Sequence, residues 1–184
     1  MATTLPGTTI EVSGIEKGGS KRMFDGIFAA GGITLSQVSV MTGLEPYLIQ
    51  NWVKRGFVSP PVKRQYSKNQ FARIVIINML RESLQLDRIC GLLSYINGSL
   101  NDESDDLIGD SELYHLYVNM IACNDGVVAG NETIRLAAEQ ALAEYEEPVP
   151  GAKQRLVKTL QIMVHAHYAS LSRRAAEELL ARLQ

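Results

Sequence analysis

The residues best suited to chemistry lie close together, between Tyr47 and Lys68. Tyr47, Gln50 and Asn51 are spaced i, i+3 and i+4, so that on a helix they share one face. A glutamine or asparagine side chain can bond an adenine edge with both its amide groups, which makes this trio candidates for contacting base edges. Lys54, Arg55, Lys63, Arg64 and Lys68 surround it and are candidates for phosphate, where each contact adds affinity without sequence information. Trp52 falls on the opposite side, facing Val38, and is expected in the core rather than stacked on a base. The exposed face has apolar neighbours, Val40, Leu48 and Val53, so packing against the rest of the chain is its alternative use.

Charge along the chain points the same way. The net charge of −2 conceals eight bases against three acids from Glu45 to Cys90, a net +5, and one base against twelve acids from Asn101 to Glu147, a net −11. A polyanion suits the first stretch and not the second.

Catalysis finds no support, and the chain is not expected to be an enzyme or to hold a cofactor. His165 and His167 are two apart on a helix and point to different faces, which spoils a shared metal site. Glycine-rich phosphate loops, nucleophile elbows and HExxH are missing, and the acidic run Asp102 to Asp106 lacks the order of ligands and glycine of an EF-hand. Cys90 and Cys123 stand in separate segments without metal-ligand or redox spacing, and both read as buried thiols.

The elements that position these residues are legible from capping and periodicity. Residues 1–22, rich in Thr, Gly and Ser, read as a flexible arm. A short apolar patch at Met23, Phe24, Ile27 and Phe28 ends at Gly31-Gly32. Two short helices follow between Ile33 and Gly56, the first closed by Thr42-Gly43 and the second opened by Glu45-Pro46. Ser59-Pro60-Pro61 breaks the chain before a short extended segment, Val62 to Tyr66. Ser67 to Gln70 is a capping-box pattern in front of an apolar helix, and Asp87 reads as the N-cap of the next, which ends at Asn97-Gly98. An acidic linker over Ser99 to Gly109 leads to three further helical patterns, the last carrying Leu156, Leu160, Val164, Leu171, Leu179 and Leu183.

A helix, a glycine turn, a second helix, a basic extended segment and a capped helix is the order of a winged helix-turn-helix. The chain resembles the MerR-like family on Ile33-Thr34-Leu35 with Val38, Thr42-Gly43-Leu44, Pro46, Ile49, Trp52, Gly56, Arg64-Gln65-Tyr66-Ser67 and Leu86-Asp87-Arg88-Ile89 with Leu92-Leu93. The likeness covers about Ile33 to Ile96. The layout with an acidic helical tail resembles an uncharacterised bacterial branch carrying a domain of unknown function. Departures are plain too. Gln50, Asn51 and Trp52 stand where the family commonly has an arginine and two aromatics, the wing is short, and the family's long dimerising helix after Ile96 is replaced.

The resemblance implies an all-α fold with a small β wing. Its organisation would be a flexible arm over 1–22, a DNA-binding winged helix-turn-helix over 23–98, and an acidic linker with a helical dimerisation or effector domain over 99–184. It implies a cytoplasmic regulator of transcription that binds double-stranded DNA, while the alternative is a protein-interaction module that has lost DNA. A homodimer through the C-terminal helices, from Leu156 to Leu183, is the expected assembly, with closure of the chain's own core as the competing use of those leucines. An effector of the tail, small molecule or protein, is left open. No membrane partner is expected, because no stretch reaches the roughly 18 apolar residues of a span and the N-terminus lacks the charged and apolar regions of a signal peptide.

Overall fold

A computed structural model describes residues 3–100, 105–122 and 130–183. Among these the chain forms eight helices and four two-residue strands: β1 Thr3–Thr4, β2 Glu11–Val12, α1 Gly19–Ile27, β3 Ile33–Thr34, α2 Leu35–Thr42, α3 Pro46–Lys54, β4 Gln65–Tyr66, α4 Lys68–Leu80, α5 Leu86–Asn97, α6 Asp110–Ala122, α7 Asn131–Ala141 and α8 Ala152–Ala181. The expectation of a mostly helical chain with a small β element holds. A second sheet, the antiparallel pair β1 and β2, was not foreseen.

Helix α4 is the axis of the fold. Every residue from Phe71 to Ile77 is buried, together with Met79 and Leu80, and a helix that is apolar nearly all round must be enclosed by others. Helices α2, α5, α6 and α8 enclose it. Phe24 of α1 lies 5.1 Å from Phe71 of α4 and stacks at 5.3 Å on Tyr114 of α6, which docks the first helix onto the same axis. One continuous cluster of buried residues therefore runs from Leu5 to Ala166. Packing does not break at 98/99, where a domain boundary was expected, and Leu107 and Ile108 of the expected linker are buried in the common core.

The N-terminal segment corrects the expectation of a flexible arm. Residues 3–12 form a hairpin whose Leu5 and Pro6 are buried, and α1 begins at Gly19, inside the span assigned to the arm. The reason lies at the end of α2. A helix leaves its last four carbonyls without partners. Here the Gly43 N–H, at a left-handed φ of 68°, donates to the Ser39 carbonyl at 2.9 Å. The Thr9 hydroxyl donates to Val40 O at 2.7 Å and the Thr9 N–H to Met41 O at 2.9 Å. Asn78 Nδ2 donates to Thr42 O at 3.0 Å, and also to Gly7 O at 3.0 Å. The hairpin and α4 thus complete α2.

Local capping proceeds largely as the sequence indicates. Thr34 with Gln37 and Ser67 with Gln70 form reciprocal capping boxes at the starts of α2 and α4. Asp87 is a correction: α5 starts at Leu86 with Gln85 as its N-cap, and Asp87 sits in the first turn, where its charge faces the positive end of the helix dipole. The final apolar segment is a single helix of 30 residues, about 45 Å long. No helix among the described residues is long and apolar enough to cross a membrane.

Candidate nucleic-acid interface

Helix α3 owes its orientation to two buried anchors. Ile49 and Trp52 are buried, and Val38 of α2 is buried beside them in the same core. Fixing that side leaves Tyr47, Gln50, Asn51 and Lys54 exposed at i, i+3, i+4 and i+7, one unbroken polar stripe. Tyr47 is 65% exposed, so its ring and hydroxyl are both free to meet a partner.

The turn after α3 carries the second group of bases. Val62 and Gln65 bond each other in both directions, N–H to carbonyl, at 3.1 and 2.9 Å, which closes a two-residue hairpin with Lys63 and Arg64 at its tip. Their φ values are +49° and +63°. Two successive positive φ angles are what a type I′ hairpin requires, and glycine or asparagine normally supplies them. Holding two long basic side chains there costs about 1–2 kcal/mol per residue. Strain of this kind persists where surrounding structure imposes it and is concentrated at functional sites.

Three sets of contacts impose it. Gln65 and Tyr66 pair with Thr34 and Ile33, so the hairpin is sewn to the start of α2. Gly32 makes this approach possible, since a Cβ there would lie 2.8 Å from Gln65 Cβ. Gln70 Nε2 donates to the carbonyls of Ser59 and Pro60 at 2.9 Å each, gripping the double-proline turn from α4. Arg73 Nε donates to Phe57 O at 2.8 Å, and its guanidinium pairs at 3.1 Å with Asp110 of α6. Gln70 and Arg73 are positioning residues that the sequence did not single out. Gln70 was legible only as a cap, and the partner of Arg73 is 37 residues away.

The five bases proposed for phosphate do not stand alike. Lys54, Lys63 and Arg64 are exposed and enter no ion pair among the described residues. Arg55 lies over the Phe57 ring at 4.4 Å and pairs with Asp87 at 3.5 Å. Lys68 bonds Asp25 at 2.5 Å, and the same carboxylate takes Lys21 at 2.7 Å. The two lysines hold Asp25 down to about 2, so it stays ionised and competes with a phosphate for Lys68. Arg73, counted in the basic stretch, is buried and committed to Asp110.

Apolar groups are exposed as well: Val62, next to the hairpin tip, and Val40 of α2 are each 72% exposed. Cys90 is half-buried on α5, and burial pushes its thiol up, away from the reactive thiolate. Cys123 lies outside the described residues.

Residues 33–117 match the family described as Domain of unknown function (DUF1836). The matched stretch starts at β3, contains α2 to α5 and the basic hairpin, and ends within α6, whose Asp110 holds Arg73. No curated protein and no solved structure matches the chain.

Proposed function

We propose that the protein is a DNA-binding regulator of transcription of the MerR-like type, in which α2 and α3 form a helix-turn-helix and the Lys63-Arg64 hairpin is its wing. The observation that carries the reading is the pairing of one exposed stripe, Tyr47, Gln50, Asn51 and Lys54, with a two-residue turn held open against its backbone preference to present two unpaired bases. A major groove accepts a helix of this width, and amides at Gln50 and Asn51 suit adenine edges. Lys63 and Arg64 suit the flanking phosphates. Arg55 and Lys68 join only by giving up the carboxylates of Asp87 and Asp25, so their contribution is smaller.

Counterion release makes this quantitative. With three unpaired bases engaged, the logarithm of the affinity for duplex DNA falls with the logarithm of salt with a slope of about −3 per protomer, at roughly 0.9 per phosphate. Fluorescence anisotropy of a labelled duplex between 50 and 300 mM salt measures it, at concentrations chosen on the order of the salt range in which such slopes are read. Lys54→Ala or Arg64→Ala reduces the slope by about 1, whereas Arg88→Ala, on α5, leaves it unchanged. A slope near zero removes the reading.

A second reading draws on Val40, Val62 and Tyr47, whose exposure leaves apolar groups open to a partner. On it, these groups dock a protein. Absence of any retention of duplex DNA at low salt, by protein shown to be folded, would favour it.

A further inference from the structure

A cleft of about 410 Å³ opens on the far side of α2, between the N-terminal hairpin, the end of α4 and the middle of α8. Binding sites for small ligands begin at about 300 Å³. We propose that this cleft binds a small organic anion, a carboxylate carried on a short apolar body.

The donors come first. Tyr117 of α6 is buried, and its hydroxyl meets Nδ1 of His167. A buried hydroxyl places its proton on an acceptor, and this nitrogen is its one partner among the described residues, which assigns Nδ1 as the acceptor and the ring proton to Nε2. Nε2, on the other edge of the ring, has no hydrogen-bond partner among the described residues, and His167 lines the cleft. The imidazole therefore offers a neutral N–H donor. Burial, reinforced by Arg174, holds the ring down to about 4 and keeps it in that form at neutral pH.

Charge selects the sign of the ligand. Arg81 and Arg174 line the cleft with a single carboxylate, Glu82. Glu82 is already shared between Arg174 and Arg173, and the two arginines hold it in the ionised form. Arg81 enters no ion pair among the described residues, and its Nε–H is donated to Asn78 Oδ1 at 2.9 Å. The lining thus keeps an excess of positive charge with uncommitted guanidinium donors, which repels amines and favours the planar acceptor of a carboxylate. Ile15, Met79 and Leu171 supply an apolar wall, which a bare inorganic anion leaves unused.

The site also has a physical link to α2. Arg81 bonds Asn78, whose amide bridges Gly7 and the Thr42 carbonyl at the end of α2. An anion drawing on Arg81 acts on the residue that closes the helix before the turn into α3. Any effect on DNA rests on the function proposed above, but binding itself does not.

The test therefore reads binding in the full chain without DNA. Hexanoate, inorganic phosphate and hexanol are titrated to 20 mM, a range chosen because eight heavy atoms support a Kd on the order of 1 mM. Nitrogen resonances of the histidine side chains and the thermal midpoint are followed. Hexanoate is expected to shift Nε2 of His167 saturably and to raise the midpoint. Phosphate binds at least tenfold more weakly, and hexanol does not saturate. Arg81→Ala, at an exposed position, weakens hexanoate at least tenfold, and Arg81→Lys restores part of the loss. Hexanol binding as well as hexanoate, phosphate binding equally well, an unmoved His167 with all three, or an Arg81→Ala variant with unchanged affinity would each overturn the proposal.

Discussion

Two histidines, His115 buried and His167 half-buried, give the protein a built-in sensitivity to acid. His115 of α6 lies edge-on to Phe24 at 4.9 Å, with Nδ1 bonded to the Ser20 hydroxyl at 3.0 Å and Nε2 buried with no hydrogen-bond partner among the described residues. Burial, with Lys21 and Lys68 nearby and Asp25 opposing them, holds it down to about 4, as burial does for His167. In the unfolded chain both titrate near 6.5. Above 6.5 both states are neutral and nothing is lost. Between 6.5 and 4 the unfolded chain binds protons that the folded chain refuses, so stability falls as the pH falls, by on the order of 3 kcal/mol per histidine. Urea midpoints between pH 7.5 and 4.5 should fall steeply, and His115→Phe should flatten part of that fall. A pH-independent midpoint over this window would show that the rings are not held neutral.

At the scale of elements, the N-terminal hairpin behaves as the C-terminal cap of α2, and one glycine permits it. Gly7 has φ of +75°, and a Cβ there would lie 2.4 Å from the Val75 carbonyl oxygen. Gly7→Ala combines a left-handed alanine, about 1–2 kcal/mol, with overpacking against α4, about 1–3 kcal/mol. Gly26→Ala is the matched control, because Gly26 is helical with open space around it, and alanine there is neutral or stabilising. The Gly7 variant should lose about 2–5 kcal/mol in urea unfolding by the same terms, and equal midpoints for the two variants would mean that the hairpin does not close on the helix. This hairpin is also where the sequence was least informative. The signals at Ser67 with Gln70, Gly43 and Pro46 are read easily because each is chemistry within three or four residues. Thr9 reaches Val40 across 31 residues, and Tyr114 donates to Pro6 O across 108, and no local pattern announces either bond. The same limit applies to charge: the basic stretch was legible, but not that Asp110 consumes Arg73 or that Asp25 holds Lys68.

For the whole molecule, α8 divides the leucine stripe expected to pair two copies. Leu156, Leu160 and Val164 are buried against the rest of the core, as the competing expectation had it. From Leu171 to Leu183 every residue is exposed; Leu171 lines the cleft with Arg174, and Leu179, Leu180 and Leu183 are the apolar residues left open beyond it. Periodicity identified the stripe but could not tell which half has a partner within the chain. We propose that the exposed end pairs with a second copy, since an open apolar side is a liability on a monomer and the DNA-binding function proposed above would gain specificity from two half-sites. Sedimentation of the full chain at micromolar concentration should then give a dimer, and Leu179→Lys with Leu183→Lys a folded monomer. A monomeric parent chain would defeat the pairing.

The central claim concerns the α3 stripe and the basic hairpin, and selection of bound fragments from a randomised duplex library tests it most directly. The folded full chain should enrich one sequence pattern at low salt. Arg64→Ala should weaken retention of every fragment alike, and Gln50→Ala should relax the preference at one base position, costing roughly 1–3 kcal/mol there. Retention of no fragment at low salt by protein shown to be folded, or equal losses on enriched and random DNA for both variants, would contradict the account.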